Sequence, residues 1–139
     1  MFTAKVYNVM LGSLSGAMEE ECAAKEVIRK WNQQNAEREG KVFLNVEWIT
    51  NADELRNVDM VIGIVGNWIK DTHFVEACIE SGKQLMLFFN AYQDPRNTIA
   101  SELNQVKVLL DSVQPRCRCI NYRSTSELMF EVEQTLNEM

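Results

Sequence analysis

The residues best placed to do chemistry are the short set Gly12-Ser13-Leu14-Ser15-Gly16, which separates an apolar run from an amphipathic stretch. Serine hydroxyls and unpaired backbone N–H groups at the start of a helix favour an anion such as a phosphate. Ser13 and Ser15 are therefore candidate ligands, although Ser15 suits the N-cap of the following helix even better. Two later loops bring small polar residues and one aromatic each: Gly66-Asn67-Trp68 and Asn90-Ala91-Tyr92. Trp68 is positioned to stack on a base or a flavin, to plug the cleft or to make a dimer contact. The one histidine, His73, opens a helix on the same side, but no carboxylate or cysteine near it in sequence supports acid–base work. No Ser-His-Asp set, HExxH motif or P-loop is present, and Leu11-Gly12 stands where a response regulator needs acidic residues.

The four cysteines, Cys22, Cys78, Cys117 and Cys119, lack the C-x-x-C spacing that commonly begins a zinc or redox site, and no metal set is assigned. Cys22 and Cys78 are expected on apolar helix faces, and Cys117 and Cys119 on one face of a strand. Buried, reduced thiols of a cytoplasmic protein are the expectation.

These loops need a scaffold, and the apolar patterning supplies one. Residues 6–11 form an apolar run broken only by Asn8, followed by a helix with Met18, Cys22, Val27, Ile28 and Trp31 as its apolar positions. The polar segment 32–40 closes the connection. Residues 42–49 read as a second strand with Val42, Leu44, Val46 and Trp48 on one face. Asn51 and Glu54 form a capping box for a helix of only two turns. Residues 60–65 are the most continuously apolar and belong in the centre of the sheet.

A helix with Phe74, Val75, Cys78 and Ile79 on its apolar side ends at Gly82. Residues 85–89 form the fourth strand, and Ile99, Leu103, Val106, Leu110 and Val113 a helix stopped before Pro115. Residues 117–122 form the fifth strand. A capping box at Ser124 and Glu127 starts a last helix carrying Leu128, Val132 and Leu136. Alternating strands and helices predict an α/β fold of three layers, α-β-α, with a five-stranded parallel sheet in the flavodoxin-like order 2-1-3-4-5. In such folds ligands bind outside the carboxyl ends of the strands.

The chain has 139 residues, 46% of them hydrophobic and 24% charged, which predicts one domain spanning 1–139. A net charge of −6 argues against a nucleic-acid partner, which calls for a basic stripe. No apolar run approaches the ~18 residues of a membrane span, and the first strand leaves no room for a signal peptide. Expectations are thus a cytoplasmic protein with neither membrane nor nucleic-acid partner; a homo-oligomer is left open.

The segments VMLGS, EVIRKWNQQN, KVFLNVEW, VDMVIGIVGNWI and IESGKQLMLFF together resemble a prokaryotic domain family of unknown function. That family carries a Trp-Asn-x-x-Asn helix end, matched by Trp31, Asn32 and Asn35, and a Pro-Val-x-Trp strand end, matched at Val46 and Trp48. It is similar in fold to TIR, SEFIR and nucleoside 2-deoxyribosyltransferase domains. The resemblance implies an N-glycosidic site with a carboxylate on the helix after the third strand, where cationic charge develops at an anomeric carbon. Phe74 stands at the transferase glutamate's position, and Glu76, two residues on, is the remaining catalytic candidate.

Gly12-Ser13-Leu14-Ser15-Gly16-Ala17-Met18-Glu19 also resembles the phosphate loop of flavodoxins, which implies FMN with Trp68 and Tyr92 covering its ring. Met18 replaces the last hydroxyl of that loop, and Glu19, Glu20 and Glu21 would repel a phosphate dianion. The resulting expectation is a TIR-like or deoxyribosyltransferase-like domain with a degenerate active site that binds a nucleotide-type ligand or a protein. Its ligand residues would be Gly12, Ser13, Ser15, Gly66, Asn67, Trp68, Asn90 and Tyr92, with the cofactor unspecified. The alternatives are an active NAD or nucleoside N-glycosidase using Glu76, and a flavodoxin-like FMN electron carrier.

Overall fold

The computed structural model describes residues 2–13, 18–46, 52–65, 73–90 and 100–139, and of residues 13, 52–54, 73–74 and 100–103 only the backbone. The strands are β1 (Lys5–Ser13), β2 (Lys41–Val46), β3 (Met60–Val65), β4 (Gln84–Asn90) and β5 (Arg118–Tyr122). The helices are α1 (Met18–Glu39), α2 (His73–Glu80), α3 (Ala100–Val113) and α4 (Thr125–Glu138), with a 3₁₀ helix, Ala52–Asn57, between β2 and β3. All strand pairs are parallel, in the order β2-β1-β3-β4-β5. The expected three-layer architecture and strand order are what the chain adopts.

Alternation along the strands sorts the core into two layers. Val9, Leu11, Ile62, Ile64 and Phe88 pack under α1 and α4. Met10, Val61, Val65, Leu87 and Phe89 pack under α2, α3 and the 3₁₀ helix. Every residue of β3 is buried, as a central strand covered on both faces requires. No described helix is long and apolar enough to cross a membrane.

Several local expectations are corrected. β1 continues through Gly12 and Ser13, which pair with Gly63 and Ile64, so the connection to α1 starts two residues later than the glycine suggested. α1 does not end at Asn32 but runs to Glu39, where Gly40 at φ +69° closes it. The polar segment is helical because its amides have structural partners and Ala36 is buried. Met18 and Cys22 are exposed, and the core face is Ala24, Val27, Ile28, Trp31 and Ala36. Cys22 sits two residues, about 200° of helix rotation, from Ala24.

In β2 the buried residue is Phe43, whereas Leu44 is 48% exposed. The Phe43 and Trp31 rings pack edge to face with their centroids 4.8 Å apart. The short 3₁₀ helix leaves Leu44 and Val6 open on the other face. Cys117 precedes β5 because its N–H is held by the Val113 carbonyl at 3.0 Å, as an extension of the α3 end. The expected strand residues 47–49 and the cap at Asn51 lie outside the described residues. At α4, Ser124 Oγ accepts from the Glu127 N–H at 3.1 Å, as the capping box predicts.

Candidate ligand site at the carboxyl edge of the sheet

The sheet reverses its winding between β1 and β3: β2 lies on one side of β1, and β3, β4 and β5 follow on the other. A crevice outside the carboxyl ends of two such strands is the general ligand position of open α/β sheets. At this point Gly12 and Gly63 stand side by side in register. Alternation puts both on the face packed by α2 and α3, with Met10 and Val61. Both glycines are buried, so the missing side chains let the layer above pack close on the backbone at this point.

Further along the same edge, Asn90 ends β4 and pairs in register with Tyr122, the last residue of β5. Asn90 is half-buried. Tyr122 is 2% exposed, and its hydroxyl is buried with no hydrogen-bond partner among the described residues. Burial, with the charge of Glu20 as the lesser cause, pushes its phenol up. The start of α1 adds Glu19, Glu20 and Glu21, which suit the helix dipole and disfavour a phosphate.

The predicted site residues divide accordingly. Gly12 and Ser13 are strand residues at the switch point, and Asn90 closes β4 on the same edge. Ser15, Gly66, Asn67, Trp68 and Tyr92 lie outside the described residues. His73 contributes its backbone as the first residue of α2.

Glu76 has a strong partner that its sequence neighbourhood conceals. Its two oxygens accept from Arg116 at 2.8 and 2.9 Å, and Arg116 also donates to Ser112 Oγ at 3.0 Å. Hydrogen bonding to the guanidinium, opposed by partial burial and aided by its charge, holds the Glu76 carboxyl below its ordinary range. Arg116 belongs to the turn that feeds β5 at the amino edge of the sheet, so the pair draws this carboxylate toward that edge.

The family-like residues Trp31, Asn32 and Asn35 have structural work. Trp31 Nε1 donates to Asn137 Oδ1 at 2.9 Å, docking α1 on α4. Asn32 brackets Phe43, donating to its carbonyl at 2.7 Å and accepting from its N–H at 2.9 Å. Asn35 donates back to the Trp31 carbonyl at 3.2 Å. Sequence reasoning missed Tyr122 and Arg116. A lone tyrosine ending an edge strand and an arginine forty residues from its partner give no local signal.

No protein-family model matches the chain, and no curated protein matches it. Solved structures do. The translation elongation factor SelB from Methanococcus maripaludis, in its apo form, superposes with a TM-score of 0.59 at 11% identity, over 97% of this chain and 36% of that one. The fold is Rossmann-like. A designed Rossmann 2x3 protein matches this Rossmann-like chain at 0.50 and 15% identity, over 95% of it and 90% of the design. Staphylococcus aureus homoserine dehydrogenase matches at 0.52 and 12% identity, over 85% of this chain and 33% of that enzyme. The chain thus spans about a third of the dehydrogenase it matches. Identities this low establish the shared Rossmann-like fold and leave activity to the site itself.

Proposed function

We propose that residues 1–139 act as one TIR-like or deoxyribosyltransferase-like domain that binds a nucleotide-type ligand at the carboxyl edge, without N-glycosidic turnover. The observation that carries the reading is the Gly12–Gly63 pair at the strand switch point. The Tyr122 hydroxyl, buried at the same edge with no partner among the described residues, supports it, because a buried polar group is costly unless something fills its valence. The capture of Glu76 by Arg116 supports binding over catalysis. Trp68 and Tyr92 are the residues assigned to cover the ligand, with Ser13, Ser15, Gly66, Asn67 and Asn90 as its polar and backbone contacts.

A thermal-shift panel of nucleosides, nucleoside phosphates, NAD and FMN tests this directly. A ligand at a hundred times its Kd stabilises the native state by about 2.7 kcal/mol. If no member raises the melting temperature, ligand binding fails and a protein-interaction module remains. Release of a free base or nicotinamide that Glu76→Gln abolishes would replace binding by turnover. A retained yellow flavin would replace it by a flavodoxin-like electron carrier.

A further inference from the structure

β2 is an end strand of the sheet, and among the described residues no strand pairs with its outer flank. A flank of this kind carries a row of N–H and C=O groups that another strand can take up. The register fixes which residues own that row. Gly40 accepts from the Lys5 N–H at 2.9 Å, and Val42 and Leu44 follow beside Val6 and Asn8. Both backbone groups of a strand residue point to one side, and that side alternates along the strand. Gly40, Val42, Leu44 and Val46 therefore turn theirs to β1, while Lys41, Phe43 and Asn45 turn theirs outward.

The side-chain amide of Asn32 occupies the middle residue of that row. It donates to the Phe43 carbonyl at 2.7 Å and accepts from the Phe43 N–H at 2.9 Å. One amide thus offers Phe43 the donor and the acceptor that a neighbouring strand would offer. Asn32 is held there because the adjacent Trp31 ring packs edge to face on Phe43.

We propose that Asn32 closes the outer flank of β2 against a second copy of this chain. The flank is self-complementary. An antiparallel two-fold pairing centred on Phe43 sets Phe43 against its own copy and Lys41 against Asn45, so every outward residue exchanges hydrogen bonds. Lys41, the charged residue of β2, meets no like charge in this register. The same register sets Val42 beside Leu44 of the second copy on the far face of the sheet. Leu44 and Val6 are exposed on that face, where the short 3₁₀ helix leaves them open. Apolar surface thus favours joining the two sheets, and Asn32 holds the backbone groups at the axis that joining requires. Any register that joins more than the strand ends passes through Phe43.

Sedimentation velocity of the purified wild type and of Asn32→Ala, over a wide range of concentrations, tests this. Asn32→Ala should associate at least about tenfold more tightly than wild type, and Leu44→Lys in that background should weaken the association by about tenfold. Leu44 is exposed, so its replacement leaves the core intact. Melting curves establish that the variants are folded. Hydrogen exchange at the Phe43 amide gives a second readout. In Asn32→Ala its protection should fall in dilute solution and return on concentration. In wild type, which needs no variant, it should be independent of concentration. Equal association of wild type and Asn32→Ala overturns the proposal. So does association that Leu44→Lys leaves unchanged, or Phe43 protection in wild type that rises with concentration.

Discussion

Arg116 grips both oxygens of Glu76 across forty residues of sequence, at 2.8 and 2.9 Å, tying the middle of α2 to the turn that starts β5. A carboxylate held this way is a structural anion, and its titration is linked to folding. Its folded value lies below the ordinary 4.5, so the pair's contribution is present above that pH and lost as pH falls through the lowered value. Arg116→Ala should lower the melting temperature slightly near neutral pH, and the gap from wild type should narrow as pH falls below 4.5. Melting curves across that range check this.

Asn32 holds α1 to β2 by satisfying both backbone groups of Phe43. Asn32→Ala leaves them without that partner beside a well-packed ring pair, and should cost about 1–3 kcal/mol. Urea unfolding measures it. The loss should appear as a lower midpoint at unchanged slope.

The hydroxyl of Tyr122 is buried and unpartnered among the described residues. Tyr122→Phe removes it and keeps the ring, so the unliganded protein should gain about 1 kcal/mol. If the ligand of the carboxyl edge completes that hydroxyl, the same variant should show a smaller thermal shift with it. Comparing the two variants with and without ligand separates these effects.

The thiols differ in accessibility. Cys22 is exposed and Cys78 fully buried, so iodoacetamide should label Cys22 first and Cys78 last, read by mass spectrometry. Burial pushes Cys78 up from its ordinary 9.0 to about 11. Its contribution to stability is therefore complete below 9.0 and lost as pH rises through about 11. Cys78→Ala should flatten the alkaline fall in melting temperature. It should not remove that fall, because Cys119 and Tyr122 are also pushed up.

Ser124 caps α4 through the Glu127 N–H. Ser124→Ala should cost about 1 kcal/mol. α4 supplies Leu128, Val132 and Leu136 to the core, so the loss should register in global unfolding rather than as local fraying.

By itself the sequence determined the scaffold. The continuous apolar run of β3 demanded a centre buried on both faces, and the spacing of Leu128, Val132 and Leu136 demanded one helix face on the core. These are local patterns, and period and capping chemistry suffice to read them. Tertiary structure decided what depends on partners far along the chain. Leu44 and Phe43 alternate equally well in sequence, and only the α1–α4 layer, set against a short 3₁₀ helix on the other face, buries Phe43. Gly12 looked like a turn and is a strand residue because Gly63 lies beside it. Glu76 looked like a catalytic candidate by position, and Arg116 reaches it only because α2 packs near the turn before β5.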